Sequence, residues 1–142
     1  IFRLADALAR LGGIWTGFRV AYTAEQIGHR DARRIHGRYT VTRADVAAGR
    51  RFEDAVTESR FGIDIHGLDK KANDERAAGQ NFGAKFRPFQ IPLRACRARD
   101  VDNLYMAGRC ISGDFIAHAS YRVTGSSVAQ GEAVGKAAAG LL

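Results

Sequence analysis

The chain has 142 residues, of which 46% are hydrophobic and 26% charged; this balance is typical of one globular domain and excludes disordered and fibrous proteins. The formal net charge of +7 favours anionic ligands, among them nucleotide phosphates, an acidic substrate or nucleic acid. No apolar run approaches the roughly 20 residues that span a bilayer, and residues 1–11 do not form the apolar core of a signal peptide. The sequence therefore predicts a cytoplasmic protein.

The chain begins with an amphipathic segment instead of a methionine, so we expect the natural start of the protein to lie upstream. Apolar residues recur in this segment at helical spacing, at Ile1, Leu4, Leu8 and Leu11. Gly12 and Gly13 then end the predicted helix, as glycines that follow a last helical turn commonly do. The next apolar stretch, residues 15–22, is aromatic and β-branched, and its pattern leaves helix and strand open.

The middle of the chain predicts short elements. Residues 33–40 alternate basic and apolar side chains, which indicates one or two short strands around Gly37. Thr42 and Asp45 have a capping-box-like spacing, so a short helix should follow and end near Gly49.

A further strand is predicted over residues 61–66, where Ile63 and Ile65 share one face and Asp64 and His66 share the other. The chain from 67 to 87 is polar and shows no period, which indicates a loop. No regular element is therefore expected between this strand and Pro88.

The last third of the chain has the clearest pattern. Residues 89–93 predict an extended segment, and residues 103–107 predict a short buried strand that ends at Gly108. Residues 124–142 contain no proline and are rich in alanine, which predicts a helix. Its small and apolar side chains share one face, at Val128, Gly131, Val134, Ala138 and Leu141.

This strand, loop and helix could hold a cofactor. Gly108 and Gly113 allow the backbone to approach a ligand at distances where a Cβ atom would collide. Gly125, Ser126 and Ser127 place free N–H groups and the positive end of the helix dipole at one point, which suits an anion or a ring oxygen that gains negative charge.

It also stays open that this segment has a purely structural role and binds no cofactor. Strand, loop and helix are the commonest unit of α/β folds, and Thr124 or Ser126 could be an ordinary N-cap. Residues 102–112, however, resemble the C-terminal flavin motif of the FAD-dependent oxidoreductase family, whose members mostly have no assigned substrate. Other stretches resemble the same family in the same order, namely residues 33–40, 42–46, 49–55, 63–66, 91–94, 117–123 and 131–135. The resemblance runs from about Asp31 to the end, apart from the polar loop.

The resemblance implies a fold class of α/β (or α+β), with residues 96–142 as the C-terminal strand–loop–helix of a Rossmann-like FAD-binding domain. Residues 1–95 would form part of a β-containing substrate or cap domain. The cofactor would be FAD, with the helix N-terminus at the pyrimidine edge of the isoalloxazine ring. The implied cofactor contacts are Gly108, Arg109, Ser112, Gly125, Ser126 and Ser127.

One family feature is absent from the printed sequence, which has no G-x-G-x-x-G turn to seat the ADP part of FAD. We therefore expect the nucleotide-binding half of the site to lie outside these residues. The chain alone should not hold FAD tightly and should be inactive.

The catalytic candidates are His118 and Arg122, expected in a loop that borders the flavin, and His66 beside Asp64. The basic pair could orient a carboxylate substrate or assist proton movement coupled to hydride transfer. His66 could act as an acid or base oriented by the carboxylate. Each of these residues could equally be structural or solvated.

The remaining polar residues indicate a functional role less strongly. Arg33 and Arg34 could clamp an anionic substrate, or form a solvated basic edge. Cys96 and Cys110 lack C-x-x-C spacing and a histidine cluster, so no metal site is predicted and both thiols are expected to be free.

The sequence also permits two alternatives to a flavoprotein. A basic module could bind nucleic acid through residues 30–38 and 94–99, but the basic residues are spread along the chain, no nucleic-acid motif occurs, and aromatic residues do not interleave with them. A non-catalytic fragment could instead complete another chain's fold. The prediction adopted is a small-molecule enzyme without nucleic acid, with its substrate, electron acceptor, use of NAD(P) and oligomeric state left open.

Overall fold

The computed structural model describes residues 1–65 and 84–141. Within these ranges, helices surround one small antiparallel sheet, which agrees with a mixed α and β fold class. The helices are α1 (Phe2–Leu11), α2 (Arg43–Ala48), α3 (Leu93–Cys96), α4 (Phe115–Tyr121) and α5 (Thr124–Ala138). The strands are β1 (Ala55–Ser59) and β2 (Phe89–Pro92), and short 3₁₀ turns occupy Gly13–Trp15 and Gly108–Cys110.

Helix α2 forms where the capping-box spacing predicts it. The Thr42 hydroxyl accepts from the Asp45 N–H, and the Asp45 carboxylate accepts from the Thr42 N–H at 2.8 Å. Gly49 ends the helix in the left-handed conformation with φ of 64°. Asp45 is only 2% exposed and also accepts from the Tyr39 hydroxyl and the Arg50 guanidinium, both at 2.9 Å. The cap therefore also joins α2 to its neighbouring segments.

Strands β1 and β2 pair antiparallel, with Thr57 opposite Ile91 and Ser59 opposite Phe89. Phe89 and Ile91 are fully buried, whereas Gln90 between them is half-buried, as the period of two in a strand requires. The extended segment predicted over residues 89–93 is thereby confirmed over residues 89–92, and Leu93 instead begins α3. Helix α5 packs over β1, and this pairing positions the helix N-terminus.

A single cluster of buried side chains joins the sheet to the helices. The cluster contains four fully buried side chains from separate parts of the fold: Val46 of α2, Ile91 of β2, Tyr121 of α4, and Ile111, which precedes α4. The cluster combines residues from before and after position 96, so burial of their apolar surface stabilises both ranges together.

Three predicted strands do not form as regular strands. Residues 103–107 give only an isolated bridge between Tyr105 and Arg97, because Asn103 takes a φ of 58°, which interrupts extended backbone. Residues 33–40 likewise contribute one bridge, from Gly37 to Ala98. Of the strand predicted over residues 61–66, residues 61–65 are irregular and His66 lies outside the described residues.

Helix α5 forms as predicted, but the buried face is different. Val128 is 67% exposed and Leu141 is 73% exposed, whereas Ser126 and Gln130 are buried together with Val134. The buried stripe follows positions four residues apart and faces β1 and the Gly108 turn. Val134 is thus buried as predicted and Val128 is not, because the helix packs against the polar Gly108 turn as well as against β1, and the turn buries Gln130.

Helix α1 ends at Gly12 as predicted, yet only Ala5 of this helix is buried. Its apolar residues Phe2, Leu4 and Leu11 are exposed, because α1 contacts little beyond the following 3₁₀ turn. Among the described helices, none combines the length and the apolar character needed to cross a membrane.

Candidate functional site

The predicted cofactor segment folds as a tight turn against α5. Gly108 is buried and has a φ of 78°, and a Cβ atom at this position would lie 3.3 Å from the Ser127 hydroxyl. Its N–H donates to Oε1 of Gln130 at 2.8 Å. Glycine is therefore required here both by its backbone conformation and by the close approach of the helix.

The N-terminus of α5 lies beside this turn and carries no side-chain cap. Its N-cap is Val123, so the interpretation of Thr124 or Ser126 as an ordinary N-cap was wrong. Ser127 instead donates its hydroxyl back to the Val123 carbonyl at 3.1 Å. Within the described residues, the N–H groups of the first turn thus lack a capping side chain, and a Cβ built on Gly125 would meet no neighbouring segment within 4 Å.

Gln130 connects the turn and the helix. Its Oε1 must face the Gly108 N–H, since only the oxygen can accept, and this assignment fixes the position of the amide nitrogen. That nitrogen is buried and has no hydrogen-bond partner among the described residues. A buried donor without a partner is unusual in proteins. No sequence pattern indicates this role of Gln130, because the role depends on a contact across 22 positions.

These features fit the part of FAD that the family motif predicts here. The uncapped N–H groups and the helix dipole suit an anionic ring edge, and Gly125 leaves room for close approach. The unpaired amide of Gln130 adds a donor beside them. Arg109, at the same turn, is exposed, whereas Ser112 lies farther along, buried against Thr40 with 3.0 Å between the two hydroxyl oxygens.

His118 lies in α4 and not in a loop, which corrects its predicted position. Its side chain is fully buried, with Nδ1 at 3.1 Å from an Asp31 oxygen. Burial lowers the pKa of His118 below 6.5, and the positive charge of Arg34 lowers it further, while Asp31 acts in the opposite direction. The imidazole is therefore neutral at pH 7.

Arg122 follows α4, and its side chain is only 6% exposed. Its Nη1 donates to both oxygens of Asp31, at 2.6 and 2.8 Å, and its Nη2 donates to the Asp64 carbonyl at 2.6 Å. Burial alone would raise the pKa of Asp31, but the bond from Arg122 and the nearby positive charges hold it below 3.8. The guanidinium is thus engaged by groups of the chain itself.

The structure brings several of the predicted site residues together. Gly108 meets Ser127, and His118 meets Arg122 through Asp31, a residue that sequence reasoning missed because it lies 91 positions from Arg122. Asp64, the predicted partner of His66, accepts from Arg30 at 2.7 Å, and His66 itself lies outside the described residues.

The two cysteines are free, as expected. Burial raises the pKa of the Cys96 thiol to about 12, and the Cys110 sulfur contacts the Ala107 carbonyl at 3.2 Å. Both thiols are therefore packing groups in this structure.

A glycine turn held against an uncapped helix N-terminus is an arrangement that suits an anionic group of a cofactor. A family model described as FAD dependent oxidoreductase matches residues 1–142, so the chain belongs to that family. The family is one of flavoprotein oxidoreductases with FAD as cofactor. No curated protein and no solved structure matches the chain.

Proposed function

We propose that this chain supplies the isoalloxazine and ribityl side of the FAD site in an oxidoreductase that transfers hydride from a small molecule. The observation that supports this assignment best is the Gly108 turn, which packs against the uncapped N-terminus of α5. The ADP part of FAD would be seated by residues beyond the printed sequence, which lacks the G-x-G-x-x-G turn.

The residues of this site would bind and orient the cofactor. The N–H groups of Gly125 and Ser126 would donate to the pyrimidine edge of the flavin, where negative charge develops on reduction. Ser127 would keep the Gly108 turn close to this edge, and Arg109 and Ser112 would contact the ribityl and diphosphate part. When bound, FAD supplies the electron acceptor for a two-electron oxidation.

The catalytic roles of His118, Arg122 and His66 remain predictions. The burial of His118 and Arg122 and their shared contact with Asp31 support a role in positioning residues 31–34. A catalytic role would require the substrate to reach one of these side chains. His66 lies outside the described residues, and its role rests on the sequence alone.

The larger architecture is also a proposal. We infer that residues 96–142 belong to a Rossmann-like FAD-binding domain and residues 1–95 to a substrate domain, although side chains of both ranges share one core. The partners would be a small-molecule substrate and the nucleotide-binding half of the site, in a cytoplasmic enzyme. No contact in the described residues favours the nucleic-acid alternative.

The visible absorption spectrum tests this proposal. The protein encoded by the complete reading frame, purified without added cofactor, should show flavin bands, whereas the 142-residue chain alone should not. Reconstitution with added FAD is the control for cofactor lost during purification. A complete protein that is colourless and also fails to bind added FAD would contradict the proposal.

A further inference from the structure

A basic cleft of about 360 Å³ lies beside the predicted cofactor segment, between residues 32–37 and residues 112–113. Its polar lining consists of Arg33, Arg34, His36, Thr40, Arg99 and Ser112. The two walls of the cleft are separated by more than 70 positions in the sequence. The predicted helices and strands therefore did not indicate that these residues lie together. The cleft is distinct from the N-terminus of α5.

The walls of the cleft are held together by close backbone packing. A Cβ atom on Gly37 would lie 2.6 Å from Cβ of Ser112, and a Cβ atom on Gly113 would lie 2.6 Å from the Tyr121 hydroxyl. The Ile35 N–H donates to the Cys110 carbonyl at 2.9 Å. Both glycines are therefore needed for the contact, and the shape of the cleft is fixed by the fold.

The chain itself neutralises the charge of the cleft only in part. Arg99 pairs with Asp100 through two bonds, at 2.9 and 3.1 Å. Arg33 and Arg34 also line the cleft, and they form no ion pair with any residue in the described ranges. The charge of Arg34 lies near enough to His118 to lower the pKa of that imidazole, and the carboxylate of Asp31 is already engaged by Arg122. Two arginines that line the cleft thus have no carboxylate partner within the described residues.

Hydroxyl groups add a neutral donor. The oxygens of Thr40 and Ser112 lie 3.0 Å apart, so one hydroxyl donates to the other and the pair retains one O–H group for a ligand. Guanidinium groups and a hydroxyl together match the oxygens of a phosphate or carboxylate, which accept several charge-assisted bonds at once.

We propose that this cleft binds the phosphate or carboxylate group of a small-molecule ligand of the enzyme, with Arg33 and Arg34 as its binding residues. This inference rests on the proposed function, since it names the chemistry of a ligand at that site. The anionic group has two sources, the diphosphate of FAD or an acidic group of the substrate. Ser112 belongs to the predicted cofactor segment and also lines the cleft, so either source can reach it.

Calorimetric titration with inorganic pyrophosphate at low ionic strength tests the cleft, with the FAD-free form of the complete protein. We expect saturable binding that weakens about tenfold in Arg33→Ala and in Arg34→Ala, the loss for one charge-assisted bond. Arg19→Ala is the matched control, because Arg19 is exposed, lies outside the cleft and carries the same charge. Arg33 is exposed, so its variant should fold even if Arg34→Ala does not.

Absence of saturable binding, or equal weakening in Arg19→Ala, would overturn the proposal. Repeating the titration on the FAD-loaded protein separates the two sources. Loss of pyrophosphate binding there assigns the cleft to the cofactor diphosphate, and retention assigns it to the substrate; both results support an anion site. A protein that binds pyrophosphate through Arg34 but never takes up FAD would contradict the proposed function and leave the cleft in place.

Discussion

Arg122 donates three hydrogen bonds from a side chain that is only 6% exposed, two to Asp31 and one to the Asp64 carbonyl. An arginine in this position keeps residues 31–34 close to α4. Asp31 is 54% exposed, so water can solvate its charge if the arginine is lost, whereas the buried guanidinium depends on these acceptors.

We predict that Arg122→Ala lowers the free energy of unfolding by about 1–3 kcal/mol, measured by urea denaturation, because it removes a buried side chain and leaves the Asp64 carbonyl without its donor. Arg122→Lys should not restore stability, since one ammonium cannot replace two guanidinium nitrogens aimed at separate acceptors. Arg19→Ala, which removes an exposed arginine, should change stability by less than about 0.5 kcal/mol. An Arg122→Ala variant as stable as the parent would disprove the positioning role.

His118 makes stability depend on pH in a defined window. Its pKa lies below 6.5 in the folded state because burial and the charge of Arg34 disfavour the imidazolium. The unfolded chain therefore binds more protons than the folded one below pH 6.5. The contribution of neutral His118 is complete above that pH and is lost as the pH falls toward the folded-state pKa.

His118→Gln should therefore give a flatter dependence of unfolding free energy on pH below 6.5 than the parent protein. Urea denaturation at a series of pH values measures this slope. Asp31 contributes at lower pH, since its pKa lies below 3.8, so its loss of charge does not obscure the comparison. Identical slopes in the two proteins would show that His118 has no depressed pKa.

Among the helices and strands, those whose sequence signal depends only on neighbouring residues were predicted best. The capping box fixed α2 because Thr42 and Asp45 are three positions apart and depend on no distant partner. The strand expected over residues 103–107 is reduced to one bridge, because its pairing with residues 96–98 is limited to the backbone bonds of Leu104 and Met106 on either side of Tyr105. The buried face of α5 was also mistaken, since Gln130 is buried by the Gly108 turn and not by its own hydrophobicity.

Gly113 packs so closely against Tyr121 of α4 that we expect no larger residue to be tolerated at position 113. Gly113→Ala would place Cβ at 2.6 Å from the Tyr121 hydroxyl, so we predict destabilisation by about 1–3 kcal/mol from overpacking. Gly131→Ala is the control, because no atom lies within 4 Å of its Cβ and alanine favours a helix. Thermal or urea unfolding should separate the two variants, and equal stability would contradict the packing described for Gly113.

At the level of the whole molecule, the candidate site is assembled from segments that are far apart in sequence. The family motif predicted Gly108 and the start of α5, and these residues do lie together. It could not predict Asp31 between His118 and Arg122, or Arg33 beside Ser112, because such contacts depend on the path of irregular segments. The exposure of the apolar face of α1 was equally unpredictable, since amphipathic spacing indicates an apolar face but not which segment packs against it.

The FAD content of Gly125→Ala, compared with that of Gly131→Ala in the complete protein, tests the central claim most directly. Both glycines lie in α5 with open space at Cβ, so both variants should fold with similar stability. If the N-terminus of α5 faces the flavin, the added methyl group at position 125 should weaken FAD binding about tenfold or more, whereas Gly131→Ala should keep a full complement of FAD. Equal FAD affinity in the two variants would contradict the placement of the flavin at this helix.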